Sequence, residues 1–194
     1  MFKISLCFIL LFTLVSCGRN EFLSLYAFID SFNKVSVQHI SESDLYFENP
    51  KSNHYTAILG NPQEEIALEF ICKDQVNIDE IRISLAKNST VPTQEHTKNF
   101  LEIFKSTAYI FCGYDENKTN EIISAFNLNT NDTFLKEGEL TLKIDNFYFV
   151  YYSTKIISQV MIYNTFLHKI EETEKPVSKP YYAEDFILKD KETP

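Results

Sequence analysis

Tryptophan is absent from the 194 residues, glycine occurs four times, and arginine appears only at Arg19 and Arg82. Four scattered glycines cannot build the Gly-rich loop that cradles a phosphate against a helix N-terminus. No GxSxG turn is present, which removes serine-hydrolase chemistry on an α/β-hydrolase scaffold. The four histidines, His39, His54, His96 and His168, show no HExxH or other metal-ligand spacing, and CxxC is missing, so neither a metal centre nor a thioredoxin-like site is expected. Adjacent acids such as Glu64-Glu65, Asp79-Glu80 and Glu171-Glu172 point to different sides of an element. They read as solvated faces and not as the converging carboxylates of a glycosidase. Positive charge is also scarce. The net charge is −9, which weighs against a nucleic-acid binder needing a basic face for phosphates. No cofactor is implied.

What the chain does have is apolar mass. Hydrophobic residues make up 44% and aromatic residues 14%, with 17 Phe and 11 Tyr. That composition belongs to a folded domain with a proper core, not to a disordered chain. The ends behave differently. From Glu171 to Pro194 the chain is charged and punctuated by Pro176 and Pro180, and it reads as a tail. Its Tyr181-Tyr182 and Phe186-Ile187-Leu188 are placed either to dock on the domain or to meet a partner.

At the other end, Met1-Phe2-Lys3 carries one positive charge, and Ile4 to Val15 is apolar except for Ser5 and Thr13. The run is shorter than the ~20 residues that span a bilayer but matches the apolar region of a signal peptide. It ends in Leu14-Val15-Ser16-Cys17, followed by Gly18. This resembles the lipobox of bacterial lipoproteins, in which small residues precede an obligatory cysteine. The resemblance covers residues 1–20 and implies removal of residues 1–16, attachment of lipid to Cys17, and residence at the cell envelope. That place is the outer side of the cytoplasmic membrane, or the outer membrane where there is one. At ~0.8 kcal/mol per buried methylene, two acyl chains hold a protein by on the order of 20 kcal/mol. An ordinary secretory signal and an uncleaved anchor are the competing readings of the same residues.

With Cys7 in the leader and Cys17 lipidated, Cys72 and Cys112 remain. In an oxidising compartment they form either a disulfide or two buried thiols. A bridge would close a loop of ~40 residues, worth ~4 kcal/mol in the chain-entropy model.

Periodicity sorts the middle of the chain. Glu21 to Val37 has Phe22, Leu25, Phe28, Ile29 and Phe32 at helical spacing, with Asn20 as a candidate cap. Short strands are expected at 44–47 and 54–59. Ile66 to Cys72 and Ile81 to Leu85 alternate around the polar turn Lys73–Asn77 and predict a β-hairpin. Thr93 opens a helix to Cys112 with a stripe of Phe100, Leu101, Phe104, Ala108 and Phe111, stopped by Gly113. Asp115 caps a second helix over 116–126. Three strands, 140–144, 147–152 and 156–163, then follow in a tight meander.

Together these predict an α+β domain over 17–170 with a mainly antiparallel sheet, built from hairpins and packed against helices. A helix followed by about three strands occurs over 21–87 and again over 93–165, which suggests two units sharing one sheet. Along 147–152, alternation sends Phe147, Phe149 and Tyr151 to one face and Tyr148 and Tyr152 to the other. Tyrosines left on the open face of a sheet form an interaction surface, unless helices cover both faces. The functional expectation is a non-enzymatic, membrane-anchored module that binds a protein or peptide. A carrier or sensor of a small apolar ligand is the alternative, and it requires a cavity lined by Phe and Tyr between sheet and helices.

Overall fold

The computed structural model describes residues 23–47, 53–60, 66–74, 76–87 and 92–165. The leader, Cys17, the segment around Glu64-Glu65, His168 and the charged tail with Tyr181, Tyr182 and Phe186–Leu188 lie outside them. In chain order the elements are α1 (Leu25–Val35), β1 (Leu45–Phe47), β2 (His54–Leu59), β3 (Ile66–Cys72) and β4 (Ile78–Ala86). Then come α2 (Gln94–Thr107), a π-helical turn (Ala108–Cys112), α3 (Glu116–Ala125) and α4 (Asn131–Leu135). The strands β5 (Gly138–Ile144), β6 (Phe147–Ser153) and β7 (Ile157–Asn164) close the fold.

All seven strands form one antiparallel sheet in the order β1-β2-β3-β4-β7-β6-β5. Hairpins make each half, and the halves join where β4 meets β7, with Ile81 opposite Ile162 and Ile83 opposite Val160. The architecture is therefore α+β, a hairpin-built antiparallel sheet with helices on it. Among the described residues the first half contributes one α-helix, a 3-10 turn at Glu42–Asp44 and four strands, the second three α-helices and three strands.

One face of the sheet carries the core. Phe28 and Phe32 of α1 stack at 5.7 Å, and Phe28 meets Phe70 of β3 edge-on at 5.1 Å. From α2, Phe100 meets Phe134 at 5.4 Å and Phe104 meets Phe149 at 6.3 Å. Such edge-to-face pairs add to the gain from burying the rings themselves.

Several boundaries differ from expectation, each for a local reason. α1 is capped by Ser24, whose side chain accepts from Ala27 N at 3.2 Å, and not by Asn20. The earlier start is blocked because residues 23–25 are tied to the sheet: Ile78 N donates to Leu23 O at 3.0 Å, and Leu25 N donates to Val76 O at 2.8 Å. The helix predicted over 93–112 ends in a π-turn from Ala108. Within α2 the buried stripe is Thr97, Phe100, Ile103, Phe104 and Thr107, with Leu101 to one side of it and half-buried, and the wider π-turn that follows leaves Phe111 half-buried. Gly113 does stop it, at φ 72°, a left-handed conformation that glycine adopts without steric cost. Asp115 does cap α3, accepting from Lys118 N at 2.9 Å. The short α4 had no sequence signal strong enough to name it; it is too brief to show a period.

Candidate functional site

The residues that face away from the helices come from the alternate positions of every strand. On β6 they are Tyr148, Val150 and Tyr152; on β7 they are Gln159, Met161 and Tyr163. Val150, Met161 and Tyr163 form a cluster of their own with Tyr148 packed against it, and no residue of a described helix belongs to it. The Tyr148 and Tyr163 rings lie 5.9 Å apart, and Lys143 Nζ sits 5.2 Å from the centre of the Tyr148 ring. Burial, with the carboxylates of Glu80 and Glu139 adding to it, raises the Tyr163 phenol above its ordinary range, so its hydroxyl stays protonated. Both sequence-singled tyrosines, Tyr148 and Tyr152, are half-buried here.

Beside the aromatic cluster runs a charged ladder. Arg82 lies opposite Met161 on one side and opposite Glu69 on the other. Its Nε donates to Glu80 Oε1 at 2.5 Å, with both side chains mostly shielded. His54 Nε2 lies 3.5 Å from Glu69 Oε2. Further along the sheet, Gln159 Nε2 donates to Ser84 Oγ at 2.7 Å, and both residues are buried. The face is thus a patch of rings bordered by paired charges and amides. Val150, Gln159, Met161 and Tyr163 are themselves buried, while Tyr148 and Tyr152 keep partial exposure.

The register decides what sequence reading missed. In the β2–β3 pairing His54 lies opposite Ile71 and Thr56 opposite Glu69. The carboxylate His54 meets is Glu69, which reads as an exposed alternate position until β2 is set beside β3. Arg82 and Glu80 likewise look like solvated charges in sequence. Only the central position of β4 between β3 and β7 brings them under cover.

Cys72 and Cys112 are both free thiols. Cys72 is buried at the end of β3, where burial, and then the nearby Asp74 and Asp79, push its pKa up to about 12. Cys112 is half-buried as a residue but packs against the core, and burial holds its thiol well above the ordinary range. Neither is set up as a nucleophile, which needs a lowered pKa and an adjacent base.

On the helix side, one open groove is lined by Gln94, Thr97, Lys98, Leu101, Lys105 and Asp132 among others, and a second by Val35, Lys105, Tyr109, Asp115 and Thr119. Both are surface features with mixed polar walls, unlike the enclosed aromatic cavity that a carrier needs. Among the described residues, no group of three or more His, Cys, Asp or Glu is placed to hold a metal ion, and no helix is long and apolar enough to cross a membrane.

No protein-family model matches the chain, and comparison with the curated proteins and with the solved structures gives no match either.

Proposed function

We propose that the protein is an extracytoplasmic lipoprotein, anchored through lipid on Cys17, whose domain is a non-enzymatic docking module for a protein or peptide. The observation that carries the module reading is the position of Tyr148 and Tyr152. They stand half-buried on the sheet face opposite the helices, beside the Val150–Met161–Tyr163 cluster and the Glu80–Arg82 pair. Tyrosine gives a large rigid contact area with a polar tip, at low entropic cost, which suits it to anchor an interface. The acidic balance of the chain makes nucleic acid a poor partner. A carrier of a small apolar ligand has less support, because the space between sheet and helices is occupied by ring-on-ring contacts such as Phe104 on Phe149.

The test is site-specific photo-crosslinking in the cells that make the protein. A crosslinking amino acid at Tyr152 should trap an adduct of defined mass, whereas the same group at Tyr109, exposed on the helix side, should not. An adduct from Tyr109 and none from Tyr152 would move the site to the helices. For the anchor, Cys17→Ser should abolish incorporation of labelled fatty acid and leave an unprocessed precursor; persistent labelling would end the lipoprotein reading.

A further inference from the structure

The point at which the chain enters the fold is fixed with unusual economy. Leu23 and Leu25 are hydrogen-bonded to Ile78 and Val76, and Ser24 forms an isolated antiparallel bridge with Asn77. The first described residue is therefore stitched to the turn end of the β3–β4 hairpin. The same end of the sheet carries the β5–β6 turn at Asp145 and Asn146, and Thr165 N donates to Asn146 O at 2.7 Å. At the opposite end lie Ala86 and the turn between β6 and β7, where Lys87 Nζ donates to Thr154 O at 2.6 Å.

We infer that the lipid anchor holds this domain in one polarity on the bilayer, with the β3–β4 turn end facing the lipid headgroups and the Thr154–Lys155 turn pointing away. The inference rests on the proposed lipidation of Cys17. Only five residues lie between Cys17 and Leu23, a path of six residue steps. Whatever path they take, six steps reach at most about 20–22 Å at ~3.3–3.6 Å each. β4 spans nine residues, so its ends are separated by roughly 27 Å at ~3.4 Å per residue. An inverted domain, with Lys155 on the headgroups, would hold Leu23 farther from the membrane than the tether extends. The anchored end also presents surface fit for the headgroup layer. Tyr26 is 59% exposed and Val76 42% exposed, both beside the stitched residues, and Lys73 is exposed in the same turn. Tyrosine sits favourably at a bilayer interface, with its ring towards the chains and its hydroxyl in the wet layer.

The polarity also sets the height of the sheet face that points away from the helices. Tyr148 and Tyr163 belong to the row nearest the anchored end, since Tyr163 pairs with Glu80 and Tyr148 with Tyr163. That row therefore lies close to the headgroups in the anchored chain. Tyr152, one row from the Ser153–Ser158 end, stands farther out.

The experiment uses the full lipidated chain in phosphatidylcholine vesicles doped with headgroup-nitroxide lipid. A fluorophore is placed at Val76→Cys or Lys155→Cys in a Cys112→Ala background, where Cys72 is buried and does not compete. Vesicle flotation reports anchoring, and nitroxide quenching reports height. The expected result is co-flotation of both labelled forms, with several-fold stronger quenching at position 76. Co-flotation with equal quenching, or stronger quenching at 155, overturns the polarity while leaving the anchor intact. Failure to float overturns the anchor and the polarity with it. Inserting about ten Gly and Ser residues after Arg19, which adds roughly 17 Å of mean reach, should bring the two positions closer together in quenching. An unchanged contrast would show that tether length is not the cause.

Discussion

Tyr151 illustrates how single residues tie the two layers together. Its ring lies in the core between Phe126 and Phe134, and its hydroxyl donates to the Thr133 carbonyl at 3.0 Å inside the fold. Tyr151→Phe keeps the ring and strands that buried carbonyl, so it should lower stability by about 1–2 kcal/mol in urea unfolding. A neutral result would mean that water replaces the hydroxyl. Phe104 tests packing alone, being fully buried against Phe149. Phe104→Ala should cost ~3–5 kcal/mol, and an unchanged midpoint would show that the α2 stripe does not face the sheet. Cys72 gives a pH signature. Its pKa rises from 9.0 to about 12 on folding, so between those values the native chain keeps a proton that the unfolded chain has lost. This contribution is intact below pH 9 and declines as pH rises above it. In Cys72→Ala the alkaline fall in stability should be shallower than in the parent chain; an identical slope would assign that fall to other groups.

At the scale of elements, the hairpins and the two long helices were legible because each has a clean period. Ile66, Leu68 and Phe70 alternate against Ile81, Ile83 and Leu85, and the structure pairs them across β3 and β4. What the sequence hid are features without a period. The π-turn at Ala108–Cys112 looks like continued helix in sequence, since one inserted residue changes the stripe only by the rotation it causes. β7 shows the opposite problem. Every residue from Ile157 to Tyr163 is buried, yet Ser158 and Gln159 are polar, so alternation alone marks one buried face. On the second face Met161 and Tyr163 pack with Val150 and Tyr148 of the neighbouring β6, a long-range fact. The candidate surface follows the same rule. Tyr148 and Tyr152 could be assigned to one face by counting, whereas the Arg82–Glu80 and His54–Glu69 neighbours needed the register. Met161 offers a probe of that face, being the one methionine besides Met1. It is 5% exposed, so peroxide should oxidise it far more slowly in the native chain than in urea. Equal rates would show an open face.

At the scale of the molecule, the repeated order of helix and strands raises the question of whether the halves are independent. The sheet argues that they are not. β4 closes the first half and β7 the second, and each supplies the other's neighbour from Glu80–Tyr163 to Ala86–Ile157. Separated, each half would expose a long, flat, apolar edge strand with unpaired backbone groups, the arrangement most prone to self-association. The core is shared as well, since α2 of the second half packs on β4 of the first. A chain split between residues 87 and 92 should therefore give two pieces that each lack a cooperative thermal transition by circular dichroism. Mixed and refolded together, they should recover a single cooperative melt at a lower midpoint that rises with concentration, because association of the pieces is then part of folding. A sharp transition in the 23–87 piece alone would make the first half a domain in its own right, and the β4–β7 seam would then be an interface between two domains and not the centre of one.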